Sequence, residues 1–424
     1  MTGILFITFI ILVLIGMPIA FTLGLASTAA LLKAGGYPLT VVVQRMFTAI
    51  DTFSLMAIPF FMLAGGLMES GGISRRIVNF ANIFVGTVKG GLAIVGVISS
   101  MFFAGVSGSA VADTAAMGSI LIPAMSEKKY DRSFASAVIA ASGTIGPVIP
   151  PSIPMVVYGV IAGVSIGDLF LAGVVPGALI GLALMFISYI IATKRNYPSE
   201  EKLSYKQAMT YLKEAVWAIL MPFVIMGGIL SGIFTPTEAG VIAAVYALII
   251  GVFVYKEIKL KDLPKVFKDA IISTTVVMFI IATASLFSWI LTGERIPQQV
   301  AQFFMSLSNN PYVILMLVNI VLLIVGTFLD VTPALILLMP VFLPLMKNLG
   351  IDLVHFGVVV VVNLCIGLLT PPVGTCLFVS CNIGKVKLGE ISKAVLPFIS
   401  AMIVVLFLIT YFPQLIMWVP NLTK

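Results

Sequence analysis

Four short segments interrupt long apolar runs with glycine or proline, hydroxyls and, in two of them, a carboxylate: 105–114 (GVSGSAVADT), 141–152 (ASGTIGPVIPPS), 326–333 (GTFLDVTP) and 367–375 (GLLTPPVGT). Breaking a helix frees carbonyl oxygens at its C-terminal end. With neighbouring Ser and Thr hydroxyls these form an oxygen cage suited to a small hard cation such as sodium. The half-helix that follows presents free N–H groups and a positive dipole end, suited to a carboxylate. The first pair of segments offers Ser107, Ser109, Ser142, Gly143 and Thr144 as one cation site, and the second offers Gly326, Thr327, Thr332, Thr370 and Gly374 as its mirror. Asp113, Thr114, Pro150, Ser152, Asp330 and Pro371 stand where a substrate would sit or where a half-helix needs a cap. An ionisable residue at membrane depth is a candidate for function; the structural alternative for Asp113 and Asp330 is helix capping, and for each hydroxyl it is a bond back to its own turn.

These segments need a membrane around them. The chain of 424 residues is 60% hydrophobic and 10% charged, against about 25% charged residues in a soluble domain. Twelve stretches of about 16 residues or more lack Asp, Glu, Lys and Arg, and a crossing takes about 20 apolar residues. Unwound backbone at that depth is tolerated only where it is buried in protein or lines a cavity, so the breaks must face a site. The segments between apolar runs are too short for a soluble domain, the longest running from Lys194 to Glu214. One histidine, His355, and three cysteines, Cys365, Cys376 and Cys381, are too few for a zinc, haem or iron–sulfur site. No phosphate-binding loop points to ATP. No Ser/His pair, metal triad or paired carboxylates in one segment point to an intramembrane enzyme. The net charge of +7 reads as loop charge on a membrane protein rather than a nucleic-acid surface.

Charge also orients the chain. Lys and Arg mark the cytoplasmic side, and the basic loops at 194–213 and 256–268 flank two apolar segments, so they share a face. Of 24 basic residues, only Lys33, Arg45, Arg295, Lys347 and Lys424 then fall outside. The second half repeats the first at a constant offset of about 221 residues: Gly72, Gly105, Pro123, Asp131, Gly146, Pro150, Pro151, Gly163 and Pro176 fall on Gly293, Gly326, Pro344, Asp352, Gly367, Pro371, Pro372, Gly384 and Pro397. Each copy reads as two crossings, a third, a re-entrant hairpin, a broken helix and a last crossing. These are 2–16, 17–33, 52–69, 90–125, 131–163 and 168–193, then 215–231, 236–255, 269–292, 311–346, 352–384 and 388–419. Five full crossings per copy invert the second copy and put both termini outside. Stretches 39–50 and 296–309 are expected as amphipathic interface helices, and Gly16–Pro18 as a turn between short helices or a kink in one long helix.

With the breaks in view, the chain resembles the large membrane subunit of a tripartite ATP-independent periplasmic (TRAP) transporter over nearly its whole length. The resemblance is carried by 16–21 (GMPIAF), 58–65 (IPFFMLAG), 105–114, 149–154 (IPPSIP), 234–240 (FTPTEAG) and 369–374 (LTPPVG). It implies an all-α polytopic fold of two inverted repeats of the elevator type. It also implies sodium-driven uptake of an organic acid across the bacterial inner membrane, with no organic cofactor. Expected partners are a small four-helix membrane subunit, a periplasmic substrate-binding protein, the organic acid and membrane lipid. Within the family the sequence is similar to the sialic acid transporters. The implied moving block is 90–163 with 311–384, held in a scaffold of 1–89, 164–310 and 385–424. A single-component sodium- or proton-coupled dicarboxylate symporter, using the same fold without partners, is the alternative.

Overall fold

The computed structural model describes residues 1–200 and 202–422; Lys424, counted above on the outer side, lies outside the described residues. Every regular element among them is helical. The first repeat runs α1 (Thr2–Leu14), α2 (Ile19–Ala34), α3 (Thr40–Ile50), α4 (Ala57–Ser70), α5 (Ile73–Val85), α6 (Gly91–Ser107), α7 (Ala110–Glu127), α8 (Arg132–Gly143), α9 (Ile153–Ala162) and α10 (Ile166–Lys194). The second runs α11 (Tyr205–Leu230), α12 (Pro236–Ile249), α13 (Leu263–Gly293), α14 (Ile296–Leu307), α15 (Pro311–Gly326), α16 (Val331–Asn348), α17 (Leu353–Gly367), α18 (Thr375–Gly384), α19 (Leu388–Tyr411) and α20 (Gln414–Asn421). Seven helical spans among the described residues are long and apolar enough to cross a membrane.

Side-chain caps set many of the helix starts. Ser109, Asp131, Ser152, Ser165, Ser204, Thr235, Asn310, Asp330 and Asp352 each accept a backbone N–H from the first turn that follows. Thr235 and Glu238 form a reciprocal capping box, so Glu238 serves its own helix end. The repeat survives in this punctuation. Asp131 and Asp352 cap α8 and α17, and Pro150–Pro151 and Pro371–Pro372 are both cis.

Gly16 to Pro18 is a turn, the first of the two expected readings, between separate helices that pack side by side, with Gly16 at φ +83°. Several other boundaries differ from those expected. The third crossing of the first repeat starts at α4, after a 3-10 turn at Phe53–Met56, where the second repeat has the unbroken 31-residue α13. The last crossing at 388–419 divides at Phe412–Pro413 into α19 and α20. The offset places α5, a strongly amphipathic helix not anticipated, opposite α14. The stretch at 39–50 forms the expected amphipathic helix, α3, which buries none of its residues and rests along α13.

The two copies interlock. Hairpin 1 (α6, α7) and hairpin 2 (α15, α16) flank two broken helices, α8–α9 and α17–α18, whose second halves cross over: α9 packs on α16 and α17, and α18 on α7 and α8. The last crossings α10 and α19, grouped with the scaffold from sequence, pack on each other and on α6, α8 and α17. Around this bundle α1, α2, α3, α4, α12 and α13 form a frame, with α5 against α6 and α14 against α16 as two arms.

Polar contacts sort the loops onto two faces. On one, Arg75 and Arg76 pair with Glu257 at 3.1 and 3.2 Å, Lys128 with Glu200 at 3.4 Å and Arg195 with Asp131 at 3.5 Å. Tyr130 donates to the Pro198 carbonyl at 2.9 Å, and burial pushes its hydroxyl up to about 12, so it stays a donor. On the other face, Thr2 meets Glu294, and Tyr37 and Arg45 both pack on Trp289. Hairpin 1 opens toward the first face beside Lys128, and hairpin 2 toward the second beside α14.

At the crossing of Gly326 and Gly367 the interlocked bundle brings backbone against backbone, and a Cβ built on Gly367 would overlap the Gly326 backbone. Gly367→Ala is expected to lower stability by about 1–3 kcal/mol, the range for overpacking. Gly389→Ala, with open space around it, should be neutral or slightly stabilising. Thermal unfolding of the detergent-purified variants measures both.

Candidate functional site

Hairpin 1 turns at Gly108, whose φ of +60° lets the chain reverse between α6 and α7. A Cβ there would stand 2.9 Å from the Pro151 carbonyl oxygen and 3.2 Å from the Ile153 amide, so the hairpin tip is seated directly on the break between α8 and α9. Ser109 caps α7 by accepting the Ala112 amide at 3.4 Å. Asp113, one turn in, is therefore not a cap. It is fully buried, accepts a hydrogen bond from Ser107 through Oδ1, and leaves Oδ2 without a partner.

Two glycines make room for this first turn. A Cβ on Gly146 would collide with Asp113 Oδ2, and one on Gly143 with Thr114 Oγ1, which is buried and also unpartnered. No salt bridge among the described residues involves Asp113. Asp113, Thr114 and the backbone at 143–146 thus enclose an oxygen-lined spot, to which Ser107 adds a hydroxyl. Ser142 and Thr144, expected beside it, spend their hydroxyls elsewhere: Ser142 donates to the Ile139 carbonyl and accepts from Ser100 at 3.1 Å, and Thr144 donates to the Ala141 carbonyl at 2.7 Å. Ser152 caps α9, accepting the Met155 amide at 3.2 Å and donating to the Pro147 carbonyl. Pro150 is half of the cis pair.

The mirror region is built differently. Asp330 occupies the register of Ser109 and is a cap, accepting the Val331 amide at 2.8 Å. The register of Asp113 holds Ala334, so no carboxylate enters this second turn. Where the first repeat sets a carboxylate against Gly146, the second sets the Gly326 backbone against Gly367. Thr327 and Thr370 bond back to the Ile324 and Ile366 carbonyls at 2.8 and 3.1 Å. The Thr327 carbonyl accepts the Val373 amide at 3.2 Å, tying the tip of hairpin 2 to the segment that follows Pro371–Pro372. Gly374 turns with φ +45° ahead of Thr375, whose Oγ1 has no partner.

Between the two tips lies a narrow pocket of about 120 Å³, bounded by Gly108 and Ser109 from one hairpin, Asp330 and Thr332 from the other, and Pro147 and Leu368 from the breaks. The first turns of α7, α9 and α16 all reach it, through Ala110, Ile153 and Val331. Among the described residues lining it there is no basic side chain and one acid, Asp330, whose carboxyl caps α16, so an anion there would be held by backbone N–H groups and hydroxyls against that neighbouring acid. Met62, Ser109 and Ile153 are shared with a cavity of about 670 Å³ between α4, α13 and hairpin 1, which reaches Glu257, Asp262 and Lys265 on the face of Arg75 and Lys128.

Sequence reasoning missed three members of this neighbourhood. Glu69 lines the wide cavity, and a buried amide pair, Asn319 and Asn363, joins α15 to α17. The signal for Asn363 was present: it stands at the register of Ser142. His355 is buried and donates from Nε2 to the Ile409 carbonyl at 2.8 Å, and Cys365, Cys376 and Cys381 are buried and free.

The class defined by this architecture is a polytopic membrane protein of two inverted repeats, each with a re-entrant hairpin and a broken helix. The fold is similar to the YdaH transporter of Alcanivorax borkumensis, with a TM-score of 0.64 over 89% of this chain and 88% of that one at 15% identity. It is likewise similar to Neisseria gonorrhoeae MtrF, with a TM-score of 0.63 over 90% and 85% at 12% identity. Residues 6–415 match the family described as "Tripartite ATP-independent periplasmic transporter, DctM component", and the chain belongs to it as a large permease of the TRAP transporters. It is 42% identical to the sialic acid TRAP large permease SiaM of Vibrio cholerae, covering 96% of this chain and 95% of that one. It is also 42% identical to the C4-dicarboxylate large permease DctM of Pseudomonas aeruginosa, covering 94% of each. The isethionate permease DctMQ of Oleidesulfovibrio alaskensis is 44% identical; the match takes in 97% of this chain and 65% of that longer protein.

Gly146→Ala is expected to leave a folded protein, because the nearest atoms the added methyl meets are the Asp113 carboxyl end, with the Gly143 carbonyl oxygen farther off at 3.2 Å, while displacing that carboxyl. Transport by the reconstituted variant should fall about tenfold or more, with its unfolding temperature near that of the parent. A tenfold change corresponds to about 1.4 kcal/mol.

Proposed function

We propose that this permease carries out sodium-driven uptake of an organic acid that a periplasmic binding protein delivers, in complex with a small membrane subunit. The observation that carries this reading is Asp113: a fully buried carboxylate with one unpartnered oxygen, beside the unpartnered Thr114 hydroxyl, without a basic partner. A buried charge is costly unless paired. Oxygen donors alone, with no cluster of three His, Cys, Asp or Glu among the described residues, suit sodium rather than a transition metal. Asp113, Thr114, Ser107 and the carbonyls of 143–146 would hold the first ion. The second site would draw on backbone oxygens at Gly326, Thr327, Thr370 and Gly374 with the Thr332 hydroxyl, since the Thr327 and Thr370 hydroxyls bond back to their own helices.

The acid group would enter the narrow pocket between the tips, held by the first turns of α7, α9 and α16, while its body lies in the wider cavity. Sialic acid is the first substrate to test, with C4-dicarboxylates and isethionate next, since relatives are named for all three. The face of Arg75, Lys128 and Arg195 is cytoplasmic, which makes the structure inward-facing. Movement is of the elevator kind. The packing of α10 and α19 supports a moving block of α6–α10 with α15–α19 rather than the hairpins and broken helices alone.

Labelled acid uptake into proteoliposomes tests this, with and without an inward sodium gradient, binding protein and small subunit. Uptake needing all three is the expected result; uptake by this chain alone would instead establish a single-component symporter. Asp113→Asn should abolish sodium stimulation or raise the sodium constant at least about tenfold. Unchanged sodium dependence in that variant would remove Asp113 from the site.

A further inference from the structure

Equivalent positions of the two repeats carry a buried polar side chain for which the proposed transport cycle supplies no direct contact. Ser142 on α8 and Asn363 on α17 are separated by the repeat offset, and both are fully buried. Each stands one turn before the glycine at which its helix breaks, Gly146 or Gly367. Each reaches across to the first helix of its own hairpin. Ser142 Oγ accepts from Ser100 on α6 at 3.1 Å. Asn363 Nδ2 donates to the Asn319 carbonyl and side-chain oxygen on α15 at 3.0 and 2.8 Å, and Asn319 in turn donates to Thr410 on α19 at 3.2 Å.

The two braces fasten the same joint with different chemistry. A hydrogen-bonded bridge inside a low-dielectric core is stronger than one in water, and its loss leaves a buried group unpaired. The joint that each bridge fastens is the crossing of hairpin and broken helix at which the cation oxygens are presented. In the second repeat this crossing has no carboxylate and brings Gly326 and Gly367 into backbone contact, so the position of the cage rests wholly on how the two helices are held.

We propose that Asn363 and Ser142 are positioning residues, each setting the affinity of the cation site at its own break by fixing the broken helix against its hairpin. This deepens, and rests on, the sodium reading given above. Asn363 is expected to matter more, because a carboxylate anchors an ion in the first site whatever the brace does.

The test uses the full permease with its partners in proteoliposomes, and the purified permease for binding. Sodium constants are read from uptake, and independently from the rise in unfolding temperature with added sodium chloride, with choline chloride as control. Asn363→Ala should raise the sodium constant about tenfold while the substrate KM at saturating sodium stays within about twofold. Asn363→Ser, which installs the first repeat's residue, should recover most of that loss. The Asn319→Ala/Asn363→Ala pair should be little worse than either single change, as expected for groups that act as one unit. Ser142→Ala should shift the sodium constant by less, about threefold.

Sodium constants unchanged in all variants, or KM and sodium constants moving together, would overturn the proposal. If Asn363→Ala does not fold, Asn363→Ser and Asn319→Ala decide it by the same criteria. A parent protein whose uptake and unfolding temperature ignore sodium would defeat the sodium reading itself. A sodium-responsive parent with unresponsive variants would defeat only the braces.

Discussion

The constraint on which everything else depends is the hydrogen-bond accounting of unwound backbone away from water. Each unpaired N–H or C=O at that depth costs several kcal/mol. The breaks meet this in two ways. Prolines at 147, 150, 151, 371 and 372 have no N–H to satisfy. The remaining groups are closed by tight local turns, such as Val148 to Ile145 at 2.9 Å, or by crossing contacts such as Val373 to Thr327 and Cys376 to Leu368 at 3.2 and 3.3 Å. Proline enrichment at the breaks is thus a property of the solvent as much as of the site.

The same constraint explains the interlocking. A half-helix of ten residues such as α9 or α18 has little packing surface and an exposed end, and neither could persist alone. Each is buried against the opposite repeat, with Tyr158 of α9 reaching the Leu353 carbonyl at the start of α17 at 2.6 Å. Unpartnered oxygens on Asp113, Thr114 and Thr375 lie beside the breaks, while others, such as those of Ser27, Ser74 and Ser188, lie elsewhere in the fold. The polar character of the site follows from the way the fold closes.

Much of this was legible because the punctuation is chemical. Hairpins at 90–125 and 311–346 and broken helices at 131–163 and 352–384 match α6–α9 and α15–α18 to within a few residues, since glycine, proline and capping Asp act locally. Amphipathic α5 was hidden by its brevity and by Arg75 and Arg76, which read as loop charge but pair with Glu257. Side-chain direction was the other gap. Nothing local distinguishes Asp113, which turns inward beneath its helix start, from Asp330, which caps its own. Ser142 and Thr144 were grouped with the site by adjacency alone, whereas their hydroxyls bond to carbonyls of their own helix. The grouping of α10 and α19 with the bundle is a tertiary choice that no local pattern encodes.

The seating of the hairpin 1 tip on Pro151 and Ile153, matched by the tie between Thr327 and Val373, joins each tip to a break. The polar walls of the narrow pocket therefore belong to the interlocked bundle, while Met62 of α4 and Val277 of α13 close it from the frame. On the elevator cycle proposed above, these polar walls would travel together and keep the same ligand geometry whichever solution they face, with only the apolar frame contacts exchanged. Direction and the degree of accumulation would then come from the ion gradient and from what delivers the acid, the polar walls contributing selectivity without a bias toward entry.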